Sequence, residues 1–113
     1  MKQLTNGNFD ILIGECATEN DALVKTAHDQ HRDNDYWIHI SDYPSAHCLI
    51  LNPTNERVSQ KVLKFCCLQL KINSNKCKRI NNLEFDVSKI KHIKTTETPG
   101  CVEVEKIIKN IRI

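Results

Sequence analysis

The segment from Asp35 to Leu51 constrains this chain's fold more than any other. It reads Asp35-Tyr36-Trp37-Ile38-His39-Ile40, a break over Ser41–Ser45 that contains Pro44, then Ala46-His47-Cys48-Leu49-Ile50-Leu51. Aromatic and β-branched residues between polar breaks predict two strands, 36–40 and 46–51. The short break makes them an antiparallel hairpin, and its simplest register sets Ile40 opposite Ala46 and His39 opposite His47. Side chains alternate faces along a strand. One face then carries Tyr36, Ile38 and Ile40 with Ala46, Cys48 and Ile50, all suited to a core. The other carries Asp35, Trp37 and His39 with His47, Leu49 and Leu51. Directly opposed residues have Cβ atoms about 4.5–5.5 Å apart, so the only tryptophan and two imidazoles converge there.

The remaining pattern predicts an α+β fold, with a mixed or antiparallel sheet around this hairpin and two helices. Phe9, Ile11 and Ile13 alternate as a strand ending at Gly14. Asn20 is placed to cap a helix over 21–30, with Asp21 in its first turn. Val58, Val62, Phe65, Cys66 and Gln69 follow helical spacing within a longer helix, about 55–73. A polar, basic loop follows over 74–82. Strands are predicted near 83–87, 90–95, 101–104 and 107–113, with Pro99-Gly100 as a turn. Residues 1–8 read as a loose leading segment. A length of 113 residues is that of one domain.

Charge is unevenly distributed. Residues 1–57 hold four Lys/Arg against nine Asp/Glu, a balance of −5, and residues 58–113 hold twelve against five, a balance of +7. Such asymmetry suits a face that attracts phosphates, although lysines also solvate ordinary surfaces. The apolar runs are far too short for a membrane span, and no partner membrane is expected. The opening residues are polar, without the apolar core of a signal peptide, so a cytoplasmic, reducing location is expected. Cys16, Cys48, Cys66, Cys67, Cys77 and Cys101 include no C-x-x-C pair, and four lie in apolar stretches, which favours reduced core cysteines over zinc or disulfides.

Four readings compete for the Trp–His face. The histidines can be satisfied structural groups beside a packed Trp37. Imidazole and indole can stack on unpaired bases. Asp35, His39 and His47 form an incomplete metal set, so no metal or cofactor is expected. The same three residues are the candidates for an RNA-processing enzyme, but no nucleophile or Gly-rich phosphate loop accompanies them, and no catalytic residue is assigned.

These residues resemble the NFACT-R domain, the RNA-binding part of the NFACT factors. Asp35-x-Trp37-x-His39 and Ser45-Ala46-His47 are similar to its central signature. Gly14 and Asn20-Asp21-x-Leu23 are similar to its opening motifs, Ser74 with Lys76, Lys78 and Arg79 to its basic stretch, and Pro99-Gly100-x-Val102 to its final turn. The likeness runs from about Phe9 to Ile113 and also extends to small eukaryotic relatives that join the domain to a coiled coil. Two motifs depart from the pattern, with Ser45-Ala46 where Gly-Ser is usual and Asn75 after Ser74.

The resemblance implies a module that binds tRNA or ribosomal RNA, with the large ribosomal subunit as a partner in ribosome-associated quality control; the family's domain is usually part of a larger factor, and a free-standing form is expected here. DNA, bound by one branch of relatives, and a protein-adaptor role are alternatives. The implied nucleic-acid contacts are Trp37, His39, His47, Lys71, Lys76, Lys78, Arg79 and Lys91, with Lys89 and Lys94 extending the patch. Gly14, Asn20, Asp35, Ser74, Pro99 and Gly100 are the family-motif positions.

Overall fold

A computed structural model describes all residues from Met1 to Ile113. The hairpin forms in the predicted register. Strand β3 (Tyr36–Ile40) and strand β4 (His47–Ile50) pair antiparallel with Tyr36 opposite Ile50, Trp37 opposite Leu49 and Ile38 opposite Cys48. The first residue after the strand pair's turn begins, Asp42, takes the left-handed conformation at φ 64°.

Four further strands complete the sheet. These are β1 (Lys2–Asn6), β2 (Phe9–Gly14), β5 (Glu84–Lys89) and β8 (Lys109–Arg112), in the order β1-β2-β4-β3-β5-β8 with every neighbour antiparallel. The predicted hairpin is therefore the sheet's centre. Residues β6 (Ile93–Thr95) and β7 (Val102–Val104) form a separate two-stranded ribbon around the Pro99-Gly100 turn, after a short 3-10 turn at Ile90–His92.

Both faces of the central strands are covered, because both are apolar. Ile38, Ile40, Cys48 and Ile50 join Ile11, Ile13, Phe85 and Val87 beneath Val62, Leu63, Cys66, Cys67 and Leu70 of helix α2 (Gln60–Ile72). On the opposite face, Trp37 and Leu49 pack against Leu23, Val24 and Ala27 of helix α1 (Ala17–Asp29), with Ile90 and Ile93 closing the cluster. Cys48, Cys66, Cys67 and Cys77 are buried free thiols, while Cys16 and Cys101 are exposed. Burial pushes the Cys67 thiol up to about 12, so it stays protonated and behaves as a small apolar group.

Three boundaries differ from the sequence reading. Residues 1–8 are not loose: Lys2–Asn6 pairs with Phe9–Ile13, because Gly7, at φ 59°, closes a tight turn between two alternating segments. Helix α2 starts at Gln60, not near Asn55. Asn55 is left-handed at φ 54°, and Ser59 caps the helix by accepting the Val62 N–H at 3.3 Å. Asn52 holds the preceding loop, accepting from the Glu56 N–H and donating to the Glu56 and Asn34 carbonyls. A side chain that satisfies backbone in this way competes with helix. Helix α1 starts four residues before the predicted Asp21, with Cys16 at its N-cap. Glu19 supports that end instead, accepting from the Glu15 N–H at 2.9 Å and from the N-terminal ammonium at 2.8 Å.

Candidate nucleic-acid interface

Three segments far apart in sequence meet at the end of the sheet where β2 stops and β4 starts. The fit around Gly14 explains why they can. A Cβ on Gly14 would lie 2.4 Å from Asn20 Oδ1 and 2.9 Å from the Asn20 nitrogen. Only glycine lets the first turn of α1 sit so close to the strand. Asn20, buried within the helix rather than capping it, uses that approach. Its Oδ1 accepts the His47 N–H at 3.0 Å, and its Nδ2 donates to the Ser45 carbonyl at 3.4 Å. Gly100, at φ 78°, lies against the same helix turn, where a Cβ would meet Ala17 Cβ at 2.8 Å. Its N–H donates to Asp21 Oδ2 at 3.1 Å. Gly14, Asn20, His47 and Gly100 are thus one tightly fitted joint, and Asn20 is its pin. Asn20→Ala is expected to cost about 1–3 kcal/mol, the penalty for orphaning buried backbone groups. Urea unfolding measures it.

The joint walls a groove of about 500 Å³. His39, Tyr43, His47, Cys16, Cys101 and Val104 line it, together with the Pro44–Ala46 and Pro99–Gly100 turns. The Pro44–Ala46 turn also borders a smaller cavity of about 280 Å³, completed by Gln69, Leu70, Asn73 and Ser74 at the end of α2. The Trp–His face is therefore continuous, around one turn, with the start of the basic loop.

At the groove and beneath it the three rings gather as predicted. Trp37 and His39 have centroids 4.5 Å apart, Trp37 and His47 5.1 Å, and the two imidazoles 6.1 Å at right angles. They are not equivalent. Trp37 is 0% exposed and buried against α1, so the indole is not a stacking platform: it shapes the surface from beneath. His39 is half-buried. Its Nε2 lies 2.9 Å from Asp86 Oδ2, and Asp86 also accepts from Ser41 and Asn110 at 2.7 Å each. A carboxylate surrounded by donors accepts only, so His39 donates through Nε2. Burial lowers the His39 pKa despite Asp86. Burial, then the neighbouring His39, lowers His47 to about 4. Both rings are neutral near pH 7.

Asp86 was missed in the sequence. It faces His39 directly across the β3–β5 pairing, a partnership 47 residues long that only sheet order reveals. Ser41 donates to Asp86 and not to an imidazole, so no serine–histidine relay exists here. Asp35 stands elsewhere. It precedes β3 at the strand's other end, fully buried, accepting the Asn52 N–H at 2.7 Å and pairing with Arg32 Nε at 3.4 Å. Asp35 therefore cannot join His39 and His47 in a catalytic or metal-binding set. It organises the loop before α2, and burial raises its pKa.

The cations divide in the same way. Lys76, Lys78 and Arg79 are exposed, make no ion pair, and occupy the loop between α2 and β5. That loop returns to the sheet beside Ser41, whose N–H donates to the Glu84 carbonyl. Lys71 lies at the end of α2, its ammonium donating to the Ile113 carbonyl at 2.7 Å and keeping two further donors. Lys91 is not part of this cluster. Its N–H donates to the Asp33 carbonyl, ahead of β3, at the far end of the sheet. Lys89 sits over the Tyr36 ring at that end, and Lys94 pairs with Glu105.

The chain is thus an α+β sheet with two helices, a groove lined by two histidines, and a basic loop that begins at the neighbouring cavity. The sequence profile of the NFACT protein RNA binding domain matches residues 2–105. The chain belongs to that family. Among curated proteins none matches it. A solved structure similar to it is the C-terminal part of the fibronectin/fibrinogen-binding protein from Streptococcus suis, with a TM-score of 0.78 at 23% identity. The match covers 98% of this chain and 43% of that one, and it shows the shared fold.

Proposed function

We propose that the chain binds structured RNA, either tRNA or ribosomal RNA, through the end of the sheet that carries the basic loop and the groove. The observation that carries this reading is a run of three exposed, unpaired cations, Lys76, Lys78 and Arg79, in a loop whose first residue, Ser74, shares a cavity with the Pro44–Ala46 turn. The loop meets phosphates, Lys71 adds to it, and Ser74 marks its junction with the turn at Pro44–Ala46. His39 and His47 form the groove wall. Lys91, at the opposite end, is left out of the interface. Action on the large ribosomal subunit in the cytoplasm, within ribosome-associated quality control, follows as the setting for such a module.

Phosphate contacts release counterions, so log K falls by about 0.7–0.9 per contact for each log unit of salt. Lys78→Ala combined with Arg79→Ala is expected to weaken tRNA binding and to flatten that slope by about 1.5. Fluorescence anisotropy across a salt series reads both. An unchanged slope removes the loop from the interface. Crosslinking and sequencing in cells then separates tRNA from ribosomal RNA.

A further inference from the structure

The groove differs chemically from the loop beside it. No lysine or arginine lines it, so a phosphate would find no counter-charge there. Its apolar lining is Pro44, Ala46, Pro99, Val102 and Val104, with the Tyr43 ring beside them. Tyr43 is 40% exposed, and no core cluster includes it. Its volume of about 500 Å³ lies within the roughly 300–1,000 Å³ typical of small-ligand sites.

Its other polar side chains are already engaged: Glu15 pairs with the N-terminal ammonium at 3.5 Å, Asn20 bonds the His47 N–H and the Ser45 carbonyl, and the Ser45 hydroxyl donates to the Ala46 carbonyl, which leaves the two histidines. His39 donates to Asp86 through Nε2, which leaves Nδ1 as an acceptor with no protein partner. His47 is 5% exposed, and its Nδ1 is sealed from solvent without a hydrogen bond. Its other nitrogen, Nε2, also has no protein partner but is not sealed. A neutral imidazole holds one N–H. Placing it on the nitrogen that can reach a partner avoids an orphaned buried donor, so His47 offers Nε2–H to the groove. The wall thus presents one acceptor and one donor on adjacent rings above an apolar bed.

We propose that this groove takes the base of a single unpaired nucleotide, stacked on Tyr43, with a donor–acceptor edge read by His39 Nδ1 and His47 Nε2. Every nucleobase has a π-face and carries a neighbouring donor and acceptor on its pairing edge, so the site is tolerant of base identity but needs an unpaired base. The proposal rests on the RNA-binding reading and adds to it a requirement for local single-strandedness. The basic loop holds the flanking phosphates.

The test uses the full chain and three stem-loop RNAs: one with a one-nucleotide bulge, one with an abasic bulge, and one fully paired. Anisotropy at one salt concentration is expected to show the base-bearing bulge bound at least about fivefold more tightly than the other two. Tyr43→Ala should abolish that preference and Tyr43→Phe should keep it, with circular dichroism confirming that both fold. Equal affinity for all three RNAs, with the Lys78/Arg79 dependence intact, overturns the nucleotide site and leaves the interface standing. So does a bulge preference that survives Tyr43→Ala. Failure of every stem-loop and of tRNA to bind overturns both readings.

Discussion

Trp37→Ala is expected to lower the stability of the domain by about 3–5 kcal/mol, the cost of emptying a well-packed aromatic site. The indole is wholly buried on the sheet's central strand, between Leu49 on β4 and Leu23, Val24 and Ala27 on α1, with Ile90 and Ile93 around it. A domain of this size has a total stability of only about 5–15 kcal/mol, so the variant is marginal at 37 °C. Urea unfolding followed by far-ultraviolet circular dichroism measures the loss, since the variant has no tryptophan left to report. The companion variant separates packing from recognition. Trp37 Nε1 has no hydrogen-bond partner, so Trp37→Phe sacrifices volume but no polar contact. It should lose less stability than the alanine variant and keep its RNA affinity at temperatures where it is folded. A Trp37→Phe protein that is fully folded yet fails to bind RNA would return the indole to the contact surface.

That outcome bears on how much of the site was legible in the sequence. Strand parity correctly grouped Trp37, His39 and His47 on one face, because alternation is a local property of an extended chain. Parity does not say what covers a face. Here α1 seals the Trp37 end of that face and leaves a groove along the histidine end, so Trp37 is wholly buried while His39, two residues on, is half-buried at the groove. Asp35 shares the Asp-x-Trp-x-His motif with them, but it ends up buried at the strand's far end, tied to Asn52. Asn20 and Ser59 show the same limit at helix ends. Either could cap by residue type, and tertiary contact decided it: Asn20 was drawn into the joint with His47, while Ser59 was left free to cap. Asp86 lay beyond reach because its partner is set by sheet order, and β5 enters beside β3 only after α2 and the basic loop intervene. The hairpin, the two-helix α+β class and the Pro99-Gly100 turn were legible because each rests on neighbours in the chain. The strand at residues 2–6 is not legible from its own polar sequence, because it exists only through pairing with Phe9–Ile13 across the Gly7 turn.

The buried histidines make the domain acid-sensitive in a window that ordinary carboxylates do not cover. His47 titrates near 4 in the folded chain and near 6.5 when unfolded. A folded pKa below the unfolded one means that, as pH falls below about 6.5, the unfolded state takes up a proton that the folded state refuses. Stability from this group is therefore intact above about pH 6.5, falls steadily below it, and stops falling near pH 4. The full loss is about 3 kcal/mol, at about 1.4 kcal/mol per pH unit. His39 shifts the same way and adds to it, with Asp86 and Asp42 moderating its shift. Asp35 acts in the opposite sense, since its raised pKa lets the folded state bind a proton before the unfolded state does. Urea unfolding at intervals from pH 7.5 to 4 should show stability declining from about pH 6.5 downward. In His47→Gln, whatever its stability at neutral pH, the decline should be shallower by up to one proton's worth of slope. A variant with the wild-type slope would mean that His47 takes up its proton as readily in the folded domain as in the unfolded chain; the ring would then face water rather than the packed joint with Asn20 and Trp37.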